Sequence, residues 1–428
     1  MKRSLFISIL VYIILLAGLA TLDGHLLSLG IPLLLYLVSG SVFRPQSLDL
    51  QISRTISDES VTPDSPVTIT LRVLNNSGYL EEVFIQDVLP SELTLIRGNS
   101  QCFTSLAPGE TIVMEYAVRG KRGSFEFGAV QVYASDSFDL VHQQKSFSVP
   151  ARLLILPEVR KLGRFAIRPM RTRFYAGQNL SRQSGSGTDF FGVRMYQPGD
   201  PLRTVNWRIS ARHPRWIFAN EYESERIADV GLILDARKRN DVQTDQDSLF
   251  NHAIQATASL AEAFLSDSNR VGLLIYGGTL ARTFPGYGKI QRERILRALA
   301  QSQTGDHQVF KALSYLPTRF FPAKSQLVLI SPLCPEDLPV LQHLRAFGYH
   351  LMVLSPDPIA FEYAKLPAGP EIEQAVRIAY LERKLLLRKL RRMGILAVDW
   401  QVDTPLEQTV LASLKRLPHW LRTTETAL

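Results

Sequence analysis

Near Asp229 the hydrophobic pattern of this chain changes period, and no single layer architecture satisfies both halves. Over residues 47–157 apolar and polar residues alternate in short runs, as in Asp49-Leu50-Gln51-Ile52-Ser53 and Val67-Thr68-Ile69-Thr70-Leu71-Arg72-Val73. That is the period of a half-buried strand. Asn75-Asn76-Ser77-Gly78 marks a turn, and residues 82–88, 111–118, 124–133 and 152–156 continue the pattern. Short strands at this spacing predict an antiparallel, Ig-like β-sandwich over residues 47–158. Downstream, Val230-Gly231-Leu232-Ile233-Leu234 is an unbroken apolar run of the kind found in strands buried on both faces. Strand-like runs at 271–276, 326–330, 350–354 and 395–398 alternate with helical patterns at 247–266, 290–299, 335–347, 374–393 and 406–417. This alternation predicts an α/β doubly wound parallel sheet over residues 229–428.

Two apolar runs come first. Residues 5–20 are apolar apart from Ser8, and residues 26–43 carry no charge. Each approaches the ~20 residues that cross a bilayer core, and Thr21-Leu22-Asp23-Gly24-His25 is a short connector. Residues 1–46 are therefore expected to form a transmembrane hairpin of two helices. Lys2 and Arg3 precede it and Arg44 follows it, so the positive-inside rule places both ends, and the soluble domains, on the cytoplasmic side of the cell membrane. A cleaved signal peptide ending near Gly18-Leu19-Ala20 and a buried hairpin in a soluble protein are the alternatives.

With 428 residues, 46% of them hydrophobic, the chain can bury several cores, which excludes disorder as its main state. Its two cysteines, Cys102 and Cys334, exclude a disulfide scaffold and a cysteine-rich metal site. The net charge of +8 is concentrated: residues 160–226 hold 13 Lys/Arg against 5 Asp/Glu, a difference of 8. Twelve of the 13 are arginine, the residue of bidentate pairing rather than mere solubility. They do not alternate with aromatics in a known binding module, so nucleic acid is not the expected partner.

That arginine-rich segment, residues 159–228, carries the most distinctive run. It reads Gly187-Thr188-Asp189-Phe190-Phe191-Gly192-Val193-Arg194-Met195-Tyr196-Gln197-Pro198-Gly199-Asp200, then Arg203, Asn206-Trp207, Ser210-Ala211-Arg212 and Asn220-Glu221-Tyr222-Glu223. Pro198-Gly199-Asp200 is a turn signal, since proline presets one dihedral and glycine permits a positive one. Asp200, Glu221 and Glu223 among Arg194, Arg203, Arg208 and Arg212 suggest an ion-pair network, with Asp200, Arg203 and Arg212 expected as its members. The candidate binding residues are Asp189, Gly192, Arg194, Tyr196, Pro198, Gly199, Asp200, Arg203, Asn206, Trp207, Arg212, Glu221 and Glu223.

This run closely resembles the signature of the bacterial and archaeal domain-of-unknown-function 58 family. Arg119-Gly120-Lys121-Arg122-Gly123-Ser124-Phe125-Glu126-Phe127 and Asp136-Ser137-Phe138-Asp139-Leu140 resemble the end of that family's sandwich region. The resemblance implies a von Willebrand factor A-like fold for the last domain, association with MoxR-type AAA+ ATPases, and no established catalytic activity. It also implies a divalent-metal site built from Asp-x-Ser-x-Ser, a later threonine and a later aspartate. Here Asp235 is retained, Arg237 and Arg239 stand at the serine positions, and Pro332 stands where the aspartate is expected. Thr304, before Gly305-Asp306, is the one candidate threonine. No metal is therefore expected, and one of the two arginines is expected to take the ion's place beside Asp235.

Other chemistry finds no support in the motifs. Gly277-Gly278 and Gly286-Tyr287-Gly288 lack the Gly-Lys-Ser/Thr of a phosphate loop. Ser331 lacks the Gly-x-Ser-x-Gly of an elbow nucleophile, and the eight histidines show no ligand spacing. Residues 377–392 hold seven basic residues and one acid, Glu382. They fit a solvated outer helix or, less well, a face leaning on an anionic leaflet. The expectation is a membrane-anchored, non-enzymatic protein-interaction module without cofactor, partnered by a MoxR-type ATPase. A hydrolase or nucleotide-dependent enzyme and a metal-dependent adhesin-like binder are the rivals.

Overall fold

The computed structural model describes residues 2–22, 24–42, 48–135, 142–162, 172–213, 215–244, 247–278, 281–306, 320–322, 325–367 and 369–415. It divides into two compact units, Met1–Leu156 and Pro157–Leu428.

The first unit opens with α1 (Lys2–Thr21) and α2 (Gly24–Val42), which pack on each other. Among the described residues, no helix is long and apolar enough to cross a membrane. This corrects the expected transmembrane hairpin and the multi-pass membrane localisation built on it. The physical reason is length. The apolar stretch of α1, residues 5–20, spans about 24 Å at 1.5 Å per residue, against a hydrocarbon core of about 30 Å. In α2, His25, Ser28 and Ser39 bound the apolar stretch and Pro32 sits inside it. Ser28 Oγ donates to the His25 carbonyl at 2.8 Å. Arg44, the charge that set the expected orientation, lies outside the described residues, as does the motif at 136–140.

Among the described residues nine strands follow: β1 (Leu50–Ile56), β2 (Ser60–Val61), β3 (Val67–Asn75), β4 (Leu80–Asp87), β5 (Leu93–Gly98), β6 (Gln101–Leu106), β7 (Thr111–Gly120), β8 (Gly123–Ser135) and β9 (His142–Ile155). They form a four-stranded sheet, β1-β3-β7-β5, and a five-stranded sheet, β2-β9-β8-β4-β6. The β2–β9 pair is parallel, so the second sheet is mixed. Alternation decides the faces: Val67, Ile69, Leu71 and Val73 of β3 point inward and meet Leu80, Val83 and Ile85 of β4 and Phe127, Val130 and Val132 of β8. An ion pair crosses this interior. Arg54 of β1 donates to Asp87 of β4 at 3.1 Å from Nε and 2.5 Å from Nη2. Tyr116 of β7 donates its hydroxyl to Asp87 at 2.6 Å. Burial, reinforced by that bond, pushes the Tyr116 hydroxyl pKa well up.

The second unit is built on β10 (Thr172–Met195), β11 (Phe218–Asp235), β12 (Arg270–Tyr276), β13 (Ala281–Gly286), β14 (Gln326–Ile330), β15 (His350–Pro356) and β16 (Leu396–Trp400). The sheet order is β13-β12-β11-β14-β15-β16, parallel except for β13. The first half of β11 pairs antiparallel with β10. Helices α4 (Leu249–Ser266), α5 (Gly288–Ala300), α6 (Leu338–Ala346), α7 (Pro358–Tyr363), α8 (Pro370–Arg392) and α9 (Leu406–Lys415) connect or follow the strands, after a short α3 (Trp207–Ser210). Leu341, Leu344, Leu387 and Leu390 of α6 and α8 pack on Ile233, Leu327, Leu329 and Val353. Leu232 and Leu234 alternate to the other face, where α4 is buried along most of its length and capped by Ser248 Oγ on the Asn251 N–H. From β11 the chain runs outward to β12 and β13, then returns to the far side at β14. The β11–β14 boundary is thus a switch point, where open α/β sheets leave a crevice beyond the strand ends.

Candidate functional site

The carboxyl ends of β11 and β14 bring Asp235, Arg237, Ser331 and Asp337 together at the switch point. Arg237 is 6% exposed and lies between two buried carboxylates. Its Nε and Nη2 donate to Asp235 at 2.9 and 2.8 Å, and its Nη1 and Nη2 donate to Asp337 at 2.8 Å each. Asp235 also accepts from the Arg237 N–H at 3.0 Å, from Ser331 Oγ at 2.6 Å and from Asn240 Nδ2 at 2.6 Å. Asp337 accepts from the Cys334 N–H at 2.9 Å. Burial alone would lower the Arg237 pKa, but the hydrogen bonds it donates to Asp337 and Asp235 outweigh it and hold the guanidinium charged. Burial and then the Asp235 charge drive the Tyr276 hydroxyl pKa up, while the Arg237 guanidinium carbon stands 5.4 Å from the Tyr276 ring centre. Gly277 lets this loop close: its φ is +99°, and a Cβ there would lie 2.4 Å from the Arg237 nitrogen.

Divalent cations do not fit this arrangement. The guanidinium occupies the space between the carboxylates, and its charge repels an ion brought toward the same oxygens. Arg237 is the arginine that takes the position beside Asp235. Arg239 turns outward to Glu336 at 2.9 Å. The Pro332 carbonyl, in place of the expected carboxylate, accepts from Arg383 Nη1 at 3.2 Å and Ser355 Oγ at 3.1 Å. Thr304 is partly exposed beside Gly305, whose backbone bridges to Arg237. Asp337, the second carboxylate, was missed from the sequence because it lies 100 residues from its partner arginine; only the Pro335-Glu336-Asp337 helix start hinted at it. Arg383 belongs to the basic run for which the sequence predicts a solvated face. It is buried, donating to Asp399 at 2.6 Å and to the Ser355 and Pro356 carbonyls at 3.1 and 3.3 Å.

The signature segment forms a second cluster, at the far end of β11. Arg194 grips Asp200 with two bonds of 2.8 Å each and reaches Glu221 at 2.8 Å through Nε. Asp200 also accepts from the Gln197 N–H at 2.9 Å. The Arg194 bond, then the Gln197 bond, hold the Asp200 carboxyl below the usual range. Pro198 and Gly199 make the turn, Gly199 at φ +108°, and Tyr196 donates its hydroxyl to the Asp200 carbonyl at 3.2 Å. Asn206 caps α3 by accepting from the Ile209 N–H at 3.1 Å and donates to Asn220 at 2.7 Å. Gly192 pairs with Glu221 in the β10–β11 ladder. The expected Asp200–Arg203–Arg212 network is corrected: Asp200 pairs with Arg194, while Arg203 and Arg212 are exposed. Bidentate geometry explains the choice, since Arg194 lies at the end of β10, where its fork meets the turn that follows. The side chains of Asp189 and Glu223 lie outside the described residues.

Around this clamp the chain presents Trp207 (67% exposed), Trp216 (56%), Leu202 and Ile217 to solvent, beside Arg203, Arg208, Arg212 and Arg215. Both clusters begin in one stretch of sequence. Residues 192–358 match the model of the family described as "Protein of unknown function DUF58". The DUF58 match thus spans Arg194, Asp200, Asp235, Arg237 and Asp337. The chain is 26% identical over 215 residues to the uncharacterised protein YeaD of Bacillus subtilis, covering 49% of this chain and 51% of YeaD. It is 28% identical over 127 residues to the uncharacterised protein Rv1480 of Mycobacterium tuberculosis, covering 29% of this chain and 39% of Rv1480. The chain therefore spans about half, or less, of the length of these curated relatives. A major pilin subunit of Bacillus cereus aligns over 26% of this chain and 41% of its own, at 8% identity and a TM-score of 0.21, a likeness too slight to bear on function.

Proposed function

We propose that this chain is a non-enzymatic protein-interaction module that docks its partner on the signature surface beside Arg194 and Asp200. The observation that carries the reading is the exposure of Trp207, Trp216 and the arginines at 203, 208, 212 and 215 in the segment that follows the turn pinned by the bidentate Arg194–Asp200 pair. Tryptophan and arginine dominate the energetics of protein interfaces, and a pinned turn loses little entropy when it docks. The buried arginine at the switch point supports the same reading, because both Asp235 and Asp337 already spend their charge on Arg237. The proposed partner is a MoxR-type AAA+ ATPase, on the strength of the family resemblance.

The test is a titration of the full chain against a purified MoxR-type ATPase from the same source, with and without ATP. Trp207→Ala and Trp216→Ala are each expected to weaken binding roughly tenfold or more, at unchanged melting temperature. Binding that neither substitution alters overturns the docking surface. A photocrosslinker at position 207 that captures only a protein other than the ATPase overturns the partner.

A further inference from the structure

α8 (Pro370–Arg392) lies on the sheet with its inner side, where Leu387, Leu390 and Arg383 are buried. Its outer side is not uniformly polar. Ile378, Leu381 and Leu385 are 59%, 61% and 53% exposed. Their spacing of three and then four residues is the repeat of a helix-packing seam, and they cover only about 60° of the helix circumference at 3.6 residues per turn. Arg377, Lys384 and Arg388 line one edge of the stripe, Lys389 and Arg392 continue along it toward the end of the helix, and Glu382 lies on the other edge; all are exposed. The first turn holds Glu371 and Glu373, so the positive charge is confined to the part of the helix that carries the stripe.

We infer that this outer face of α8 docks an acidic amphipathic helix of a protein partner, at a surface separate from the signature segment. Charge complementarity fixes the partner's chemistry: leucine or isoleucine at heptad spacing, flanked by glutamate or aspartate. The narrowness of the stripe favours a helix over a lipid surface. Helices that lie in a bilayer interface present a broad apolar face with tryptophan or phenylalanine, whereas a stripe of about 60° bounded by charge is the width of a two-helix seam.

The probe is a three-heptad synthetic peptide with leucine at the first and fourth heptad positions and glutamate on the flanks, titrated against the full chain. A matched peptide with lysine on the flanks is the control, and phosphatidylserine-containing vesicles form a separate arm. The acidic peptide is expected to bind and the lysine peptide not to. Leu381→Glu should weaken binding by roughly tenfold or more, and Lys384→Glu with Arg388→Glu should reverse the preference between peptides. All three side chains are exposed, so circular dichroism and the melting temperature should stay unchanged. Equal binding of both peptides, no binding of either, or retention on vesicles without peptide binding each overturns the inference. The signature-surface variants Trp207→Ala and Trp216→Ala should leave peptide binding intact, which separates this surface from the one proposed above.

Discussion

Removing the guanidinium of Arg237 is the sharpest perturbation the structure offers. Arg237→Met keeps much of the side chain's volume but leaves Asp235 and Asp337 buried with no cation between them. Breaking a buried ion pair from one side costs about 3–5 kcal/mol, because the remaining charge stays desolvated. At about 2–4 °C per kcal/mol for a unit of this size, the transition should fall by roughly 6–20 °C in calorimetry. The loss has a pH signature. Two facing carboxylates share a site badly, so one holds its proton in the folded variant and its folded pKa rises above its unfolded value. A group raised in this way stabilises below its unfolded pKa and loses that contribution as pH rises through the folded one. The deficit of Arg237→Met should therefore be largest at neutral pH and shrink toward pH 4. Arg237→Ser should leave room for Mg²⁺ or Mn²⁺ among Asp235, Asp337, Ser331 and Asn240, and the ion should recover part of the lost stability. A deficit under about 1 kcal/mol at pH 7, or one unaffected by pH, would refute the reasoning.

Three further outcomes are expected. Tyr116→Phe removes a buried hydroxyl donor from a charged acceptor, and denaturant unfolding should show a loss of about 1.5–3 kcal/mol. Gly277→Ala places a Cβ against the Arg237 backbone at φ +99°, and the same assay should show at least ~1–3 kcal/mol of destabilisation. Asp247 has its carboxyl at about 2: burial works against the charge, but bonds from His252 and the Ser248 N–H outweigh it. A depressed carboxylate stabilises above its unfolded pKa and is lost as pH falls through the folded one, so Asp247→Asn should match the native chain near pH 2 and fall behind above pH 4. Since the side chain is 41% exposed, solvent screening limits that gap to roughly 1 kcal/mol or less.

Local patterning was legible because it needs only neighbours. The alternation at 67–73 becomes β3, and the apolar run at 230–234 becomes the buried end of β11, since periods of two and of continuous apolarity map directly onto one or two buried faces. An arginine beside Asp235 could likewise be expected, since Arg237 and Arg239 both follow it closely, but only the fold selects Arg237 and turns Arg239 to Glu336. The Pro198-Gly199 turn was readable from its dihedral demands. Other features depended on which strand ends meet. Asp337 joins Arg237 only because β14 returns to the side of β11, across a separation of 100 residues. Asp200 pairs with Arg194 rather than Arg203 or Arg212 because strand geometry, which composition does not encode, aims one guanidinium at the turn. Arg383 looked like one more surface charge in a basic run until the packing of α8 turned it inward and left Ile378, Leu381 and Leu385 outside. Sequence periodicity sets which residues share a face; the tertiary fold alone decides what that face meets, because buried charge is tolerated only where the fold supplies its counter-charge.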